Sequence, residues 1–129
     1  MAYLIDSNVI INYMAQNFSD KVLEKLDAVF DDSFNYSIIS KMEVLGYKLS
    51  TAEIHPLEDL FSNGNVLHLN DDVVTKVINI RSTMKIKLPD AIIAATAIIN
   101  NLELVTDNTT DFSKVPGLRV IKPESLYLI

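Results

Sequence analysis

The chain has 129 residues, 49% of them hydrophobic, which is enough for a single domain spanning residues 1–129 around one continuous core. It has no cysteine, no secretory signal pattern and no apolar run of the ~20 residues that a membrane span needs, so we exclude disulfides and thiolate zinc sites and expect a cytoplasmic protein without a membrane partner. The formal net charge of −6 argues against a broad basic surface for nucleic acid, unless several of the 17 carboxylates cluster and bind cations that reverse the local charge.

Short runs rich in Val, Ile and Tyr predict buried strands, and longer segments with helical periodicity lie between them. In chain order, the predicted strands are residues 2–5, 36–39, 65–69, 103–105 and 118–121. The predicted helices are a short one from Val9, then residues 22–30, 42–49, 52–61, 71–86 and 90–100. This alternation predicts an α/β fold with a mainly parallel sheet of about five strands, covered by helices on both faces.

Acidic residues follow several of these strands. Asp6 comes directly after the first strand, and Glu43 lies one turn into the helix after the second. A third polar group, Asp107, Asn108 and Asp111, follows the fourth strand. Open parallel sheets bind ligands beyond the carboxyl ends of their strands, so we expect these side chains at the functional edge.

Asp90 lies in the first turn of the most apolar helix, after Pro89 at a favoured first helical position. An acid at the head of so buried a helix needs a partner. Carboxylates brought close together repel unless cations neutralise them, and hard oxygen ligands select Mg²⁺ or Mn²⁺. A site of Asp6, Glu43 and Asp90 with one or two such ions would suit hydrolysis of a phosphodiester by a metal-activated water.

Helix capping offers a simpler explanation of each acid. Asp6 can cap the short helix that follows it, and Asp90 can complement the dipole of its helix. Ser40 and Glu43 have the Ser-x-x-Glu spacing of a capping box, in which Glu43 would reach back to the Ser40 amide. Capping does not require these acids to meet at one edge of the sheet, however, and the predicted topology brings them there.

Four segments of the sequence resemble, in order, the motifs of PIN-domain nucleases, and among them the toxin subunits of VapBC-type toxin–antitoxin pairs. The segments are Leu-Ile-Asp6-Ser-Asn-Val-Ile-Ile, Ser40-x-x-Glu43, Leu-Pro-Asp90-Ala-Ile-Ile-Ala-Ala-Thr-Ala and Leu-Val-Thr106-Asp-Asn108-x-x-Asp111-Phe. The resemblance spans essentially the whole chain. It implies a Rossmann-like three-layer α/β/α sandwich, a pocket for Mg²⁺ or Mn²⁺, endonucleolytic cleavage of RNA, a homodimer and a small VapB-like antitoxin.

The resemblance also assigns roles by position. Asp6, Glu43 and Asp90 match the first three acids of the family. The fourth acid is left open between Asp111 and Asp107, because many PIN domains have Asp where this chain has Asn108, whereas the toxins commonly have Asn there and an Asp three residues on, which matches Asp111. Supporting residues would orient ligands or water, and they are Ser7, Asn8, Ser40, Thr106, Asp107 and Asn108. Asp107 stands where toxins often have Arg, which leaves open whether it assists the metal or repels the substrate.

Three cations precede the third motif: Arg81, Lys85 and Lys87. They could bind RNA phosphates beside the acids, or form a solvated helix end that complements the dipole.

Two other functions are open at this point. A haloacid-dehalogenase-like phosphatase could use Asp6 as nucleophile and Asp71 and Asp72 as magnesium ligands, although position 8 is Asn where such enzymes have Asp. A non-catalytic PIN-like domain that binds RNA or protein would explain an incomplete fourth acid.

Overall fold

A computed structural model describes residues 2–126, which form a five-stranded, all-parallel sheet with the order β3-β2-β1-β4-β5. The strands are β1 (Tyr3–Ile5), β2 (Asn35–Ser37), β3 (Asn65–Leu67), β4 (Glu103–Val105) and β5 (Val120–Ile121). β1 is central, since Leu4 is opposite Asn35 of β2 on one side and Leu104 of β4 on the other. The predicted α/β fold with a parallel sheet of five strands is confirmed.

Seven α-helices connect or follow these strands in the described part of the chain. They are α1 (Ser7–Met14), α2 (Asp20–Asp32), α3 (Ile38–Leu45), α4 (Thr51–Ser62), α5 (Asp71–Thr83), α6 (Leu88–Ile99) and α7 (Thr109–Phe112), with a 3₁₀ turn at Pro123–Ser125. Neither α7 nor the 3₁₀ turn is predicted from the sequence, because both are too short to show a periodic pattern. No helix within residues 2–126 has the length and apolar character needed to cross a membrane.

The central strands bury side chains on both faces of the sheet, and each face has its own core. Leu4 and Leu104 pack against α5 and α6, whereas Ile5 and Val105 pack against α1, α2 and α4. Alternate residues of a strand point to opposite faces, which explains this division. The arrangement is the three-layer sandwich that the sequence predicts.

Helix α6 is almost wholly buried, because every residue from 91 to 97 is shielded from solvent. The one polar side chain in this stretch, Thr96, donates its hydroxyl to the carbonyl oxygen of Ile92 at 2.7 Å. Small alanine side chains allow the helix to lie close to the sheet and to α5, its main helical neighbour. Its N-terminus, with Asp90, is thereby fixed beside the carboxyl edge of the sheet.

Several predicted boundaries were wrong. The second strand ends at Ser37, whose hydroxyl caps α3 by accepting from the Ile39 amide, so the chain turns into a helix two residues before the predicted strand end. Strand β3 ends at Leu67, and α5 ends at Thr83 because Met84 is extended. Helix α6 begins at Leu88, which makes Pro89 its second residue instead of its first.

Candidate metal centre

Asp6 is the most deeply buried acid at the carboxyl edge of the sheet, with a relative exposure of 5%. One carboxylate oxygen accepts from the Ser7 amide at 2.8 Å, and the other accepts from the Thr106 hydroxyl at 2.7 Å. The Thr106 oxygen in turn accepts from the Asn108 amide at 3.0 Å. Asp6 is therefore the N-cap of α1, and the loop after β4 holds its side chain in one orientation.

Glu43 is half-buried on α3, and its carboxylate accepts from the Ser7 hydroxyl at 2.9 Å. The predicted capping box with Ser40 was wrong, because Ser37 caps the helix and leaves Ser40 inside it. The buried Ser40 hydroxyl has no hydrogen-bond partner among the described residues. Glu43 thus bonds to Ser7, in the segment after β1, and does not cap its own helix.

One cavity of about 200 Å³ unites the three predicted acids. Its walls come from the ends of β1 and β4 and from α1, α3 and α6. The lining residues are Asp6, Ser7, Asn8, Ile11, Glu43, Tyr47, Asp90, Asn108 and Phe112. No Lys or Arg is among them, so the carboxylates face each other without a cationic side chain within this acidic cavity.

The electrostatics of the acidic cavity follow from burial and mutual repulsion. Burial is the main cause that raises the pKa of Asp6 to about 6. The hydrogen bonds from Thr106 and Ser7 lower it, whereas the charges of Asp90 and Glu43 raise it further. Burial also raises the pKa of Asp90, with Lys87 opposing the shift and Asp111 adding to it.

A second, larger cavity of about 570 Å³ adjoins the first, and Asp90 and Asn108 belong to both. Four cations line it: Arg81, Lys85, Lys87 and Lys114. Asp111 lies here too, exposed and close enough to influence Asp90, but it does not line the acidic cavity. We call the four cations the basic wall.

Asp107 is turned away from both cavities. It is exposed, and its amide lies 3.5 Å from the Asn8 side-chain oxygen. Its pKa is raised by partial burial and by Glu124, and Lys122 and a hydrogen bond with Asn12 oppose the shift. Of the two acids considered for the fourth position, Asp111 is the one beside Asp90.

The donor set fits a divalent cation in chemistry and charge. The carboxylates of Asp6, Glu43 and Asp90 offer only oxygen atoms, and the side-chain amide of Asn108 adds one more oxygen. Hard cations such as Mg²⁺ and Mn²⁺ prefer oxygen ligands. In their present positions, no three His, Asp or Glu side chains within residues 2–126 form a group that could hold a metal ion. The cavity therefore provides the ligands and the charge without a fully assembled coordination shell.

Besides apolar wall residues, two lining residues with polar or charged groups were not predicted from the sequence. Tyr47 lines the acidic cavity, and Lys114 completes the basic wall. Tyr47 follows Gly46 at the end of α3, the same helix that carries Glu43. Its closeness to Glu43 in the sequence could have indicated that it lies near the acids. The magnesium acids of the phosphatase hypothesis, Asp71 and Asp72, lie after the edge strand β3 and line neither cavity.

Comparison with protein families gives one assignment over most of the chain. A family model described as the PIN domain matches residues 3–118. No curated protein sequence matches the chain significantly.

Solved structures give a consistent result. A chain in a toxin–antitoxin complex from Klebsiella pneumoniae is 30% identical, with a TM-score of 0.77 over 99% of this chain and 100% of that one. A chain in DNA-bound VapBC from Salmonella typhimurium has a TM-score of 0.83 at 21% identity, covering 95% of this chain and 98% of that one. VapBC-1 from nontypeable Haemophilus influenzae has a chain with a TM-score of 0.80 at 24% identity, covering 97% and 100%.

Proposed function

The chain belongs to the PIN domain family, and from this premise we propose that it is a metal-dependent endoribonuclease that acts as the toxin of a toxin–antitoxin pair. One observation carries the catalytic part of the proposal. Asp6, Glu43 and Asp90 share a cavity that has no cationic side chain in its lining, and their mutual repulsion helps to raise the pKa of Asp6. A divalent cation would relieve that repulsion.

Asp6, Glu43 and Asp90 would hold one or two Mg²⁺ or Mn²⁺ ions, with Asp111 beside them. Such an ion supplies positive charge and Lewis acidity for phosphodiester hydrolysis. The chain itself fixes the ligands, because the Thr106 hydroxyl and the Ser7 amide orient Asp6. Hydrogen bonds of this kind keep a ligand in the geometry and charge state that a metal requires.

The basic wall supports RNA as the substrate. Its four cations line the cavity that shares Asp90 and Asn108 with the acidic cavity, so a strand crossing Asp90 would meet positive charge at its phosphates. Arg81 also donates to the Ile86 carbonyl oxygen at 3.3 Å and so braces the loop that carries Lys85 and Lys87. Local charge thus offsets the unfavourable net charge of the whole protein.

Two surfaces support the proposed protein partners. An apolar groove of about 310 Å³ between α1, α3 and α4, with Met14, Leu49 and Leu57 in its walls, adjoins the acidic cavity and suits an antitoxin segment. Val74, Ile78 and Leu88 are exposed on the other helical layer and suit a homodimer contact. A protein that is monomeric at micromolar concentration would contradict the homodimer. Bacterial growth that is unimpaired when the protein is expressed would contradict the toxin role.

Cleavage of defined RNAs tests the catalytic proposal. We expect the wild type to cleave with Mg²⁺ or Mn²⁺ but not with EDTA, and Asp90→Asn to lose at least about 100-fold in rate because a ligand is lost. Asp72→Asn, an exposed acid outside both cavities, is the matched control and should stay active. Activity in EDTA, or full activity of Asp90→Asn, would overturn the mechanism, and cleavage by the wild type would exclude a non-catalytic domain.

A further inference from the structure

Tyr47 is an aromatic side chain that the described fold leaves in solvent. Its relative exposure is 59%, and within residues 2–126 the other Tyr and Phe side chains are buried or half-buried. A ring that is mostly exposed contributes less to the stability of the core than a buried one, so Tyr47 is available for contact with another molecule.

The turn at the end of α3 places this ring at the acidic cavity. The Gly46 amide donates to the Met42 carbonyl oxygen at 2.9 Å and closes the helix. A side chain at position 46 would put a Cβ atom 2.5 Å from that same oxygen, so the tight exit requires glycine. Tyr47 then lines the cavity together with Asp6 and Glu43.

Charge divides the surface around Asp90 into two parts. The basic wall and Asp111 line one of the two cavities that share Asp90, and Tyr47, Asp6 and Glu43 line the other. The phosphates of a polynucleotide would be repelled by Asp6 and Glu43, whereas a neutral, planar base would not be. A nucleotide at Asp90 therefore has one favourable orientation, with its backbone toward the cations and its base toward Tyr47.

We propose that Tyr47 stacks on an unpaired base next to the scissile phosphate and thereby restricts cleavage to RNA that is single-stranded at that nucleotide. This inference rests on the proposed ribonuclease function and adds a specificity-determining residue to it. Aromatic stacking is available to every base, so Tyr47 would select an accessible base more than a particular sequence. A paired base cannot leave its helix to reach the ring without losing its partner.

Steady-state cleavage of an oligoribonucleotide with one mapped site tests the proposal. We expect Tyr47→Ala to lose roughly 5- to 150-fold in kcat/KM, mostly through KM, because stacking forms in the ground state and persists in the transition state. Tyr47→Phe keeps the ring and should stay close to wild type. Met42→Ala, also exposed and on the same helix but outside the acidic cavity, is the matched control.

A modified substrate makes the test independent of any change in folding. An abasic nucleotide beside the cleaved phosphate should cost the wild type as much as Tyr47→Ala costs with normal RNA. The two changes combined should cost no more than either alone, because both remove the same contact. Losses that multiply, or equal activity of Tyr47→Ala and wild type, would overturn the proposal and leave Tyr47 only as a lining residue of the apolar groove between α1, α3 and α4.

Binding of the same RNA separates this proposal from the ribonuclease function. The affinity can be measured in an Asp90→Asn background by fluorescence anisotropy, where no cleavage is needed. If the wild type cleaves nothing but binding still depends on Tyr47 and the base, only the proposed ribonuclease function fails. If cleavage occurs and binding is the same with or without the Tyr47 ring, only the stacking proposal fails.

Discussion

Asp6 combines two roles that the sequence presents as alternatives. It is the N-cap of α1, as helix chemistry alone predicts, and it is also the buried acid at the centre of the candidate metal site. The two roles are compatible because the Ser7 amide bonds to one carboxylate oxygen and the Thr106 hydroxyl bonds to the other. Both bonds favour the ionised form, but burial opposes it more strongly and raises the pKa to about 6.

This buried charge gives a prediction for the metal-free protein. The Asp6 pKa is about 6 in the folded state against 3.8 without the fold, so the folded state binds the proton more tightly. The free energy of unfolding should therefore fall by about 3 kcal/mol as the pH rises through this window. Asp6→Asn removes the charge, so it should be more stable than wild type at pH 8 but not at pH 4.

Urea denaturation in EDTA at a series of pH values measures this difference. Asp72→Asn removes one exposed carboxylate elsewhere and controls for the loss of a single negative charge. A wild-type stability that does not change between pH 4 and pH 7, or an Asp6→Asn variant that is destabilised equally at both ends, would contradict the raised pKa.

At the level of secondary structure, α3 shows why the sequence pattern misled. Ser40 and Glu43 have the spacing of a capping box, but Ser37 lies three residues earlier and caps the helix first. Helical periodicity does not show which of the two serines caps α3. The cap is set by the residue at which β2 ends, and the end of β2 depends on its pairing with β1 and β3. The real capping box is at Ser50 and Glu53, at the start of α4.

The two serines make opposite predictions. Ser37→Ala should lower the free energy of unfolding by about 1 kcal/mol, because it removes the cap of α3. Ser40→Ala should raise it by about 1 kcal/mol, because the buried Ser40 hydroxyl has no hydrogen-bond partner among the described residues. Chemical denaturation of both variants measures these values, and a destabilised Ser40→Ala would mean that the hydroxyl has a bonding role.

The strands and their acids were easier to predict than the helix boundaries. Buried parallel strands appear as short apolar runs, and the position after such a run fixes an acid at one edge of the sheet whatever the exact register. That is why Asp6 and Glu43 could be placed at this edge from sequence alone, and the apolar helix that Asp90 heads indicated that it joins them. Tyr47 and Lys114 could not, because their positions depend on a helix end and on a short helix that leave no periodic signal.

For the molecule as a whole, the distribution of charge matters more than its sum. The net charge is −6, yet four of the eleven Lys and Arg residues line one cavity. Arg81, Lys85 and Lys87 were predicted from the sequence. The fourth cation, Lys114, follows the end of α7 and was not. Total charge therefore does not reveal the local positive charge that the fold gathers at this cavity.

A comparison of two lysines tests this local effect. Lys114→Ala and Lys21→Ala change the net charge equally, but only Lys114 belongs to the basic wall. In the Asp90→Asn background, Lys114→Ala should weaken binding of single-stranded RNA and reduce the salt dependence of log Kd by about 0.7. Anisotropy titrations at several salt concentrations provide the values, and equal slopes for the two variants would show that only total charge matters.

The central position of β1 also determines when the site can exist during protein synthesis. The Thr106 hydroxyl that holds Asp6 is synthesised 100 residues after it. At about 5–20 residues per second, translation separates the two by roughly 5 to 20 s. Until β4 and its loop emerge, the acid has no orienting partner from that side. A nascent chain, or one that terminates before β4, therefore lacks the hydrogen bond that orients Asp6, and under the proposed function such unfinished copies would be inactive.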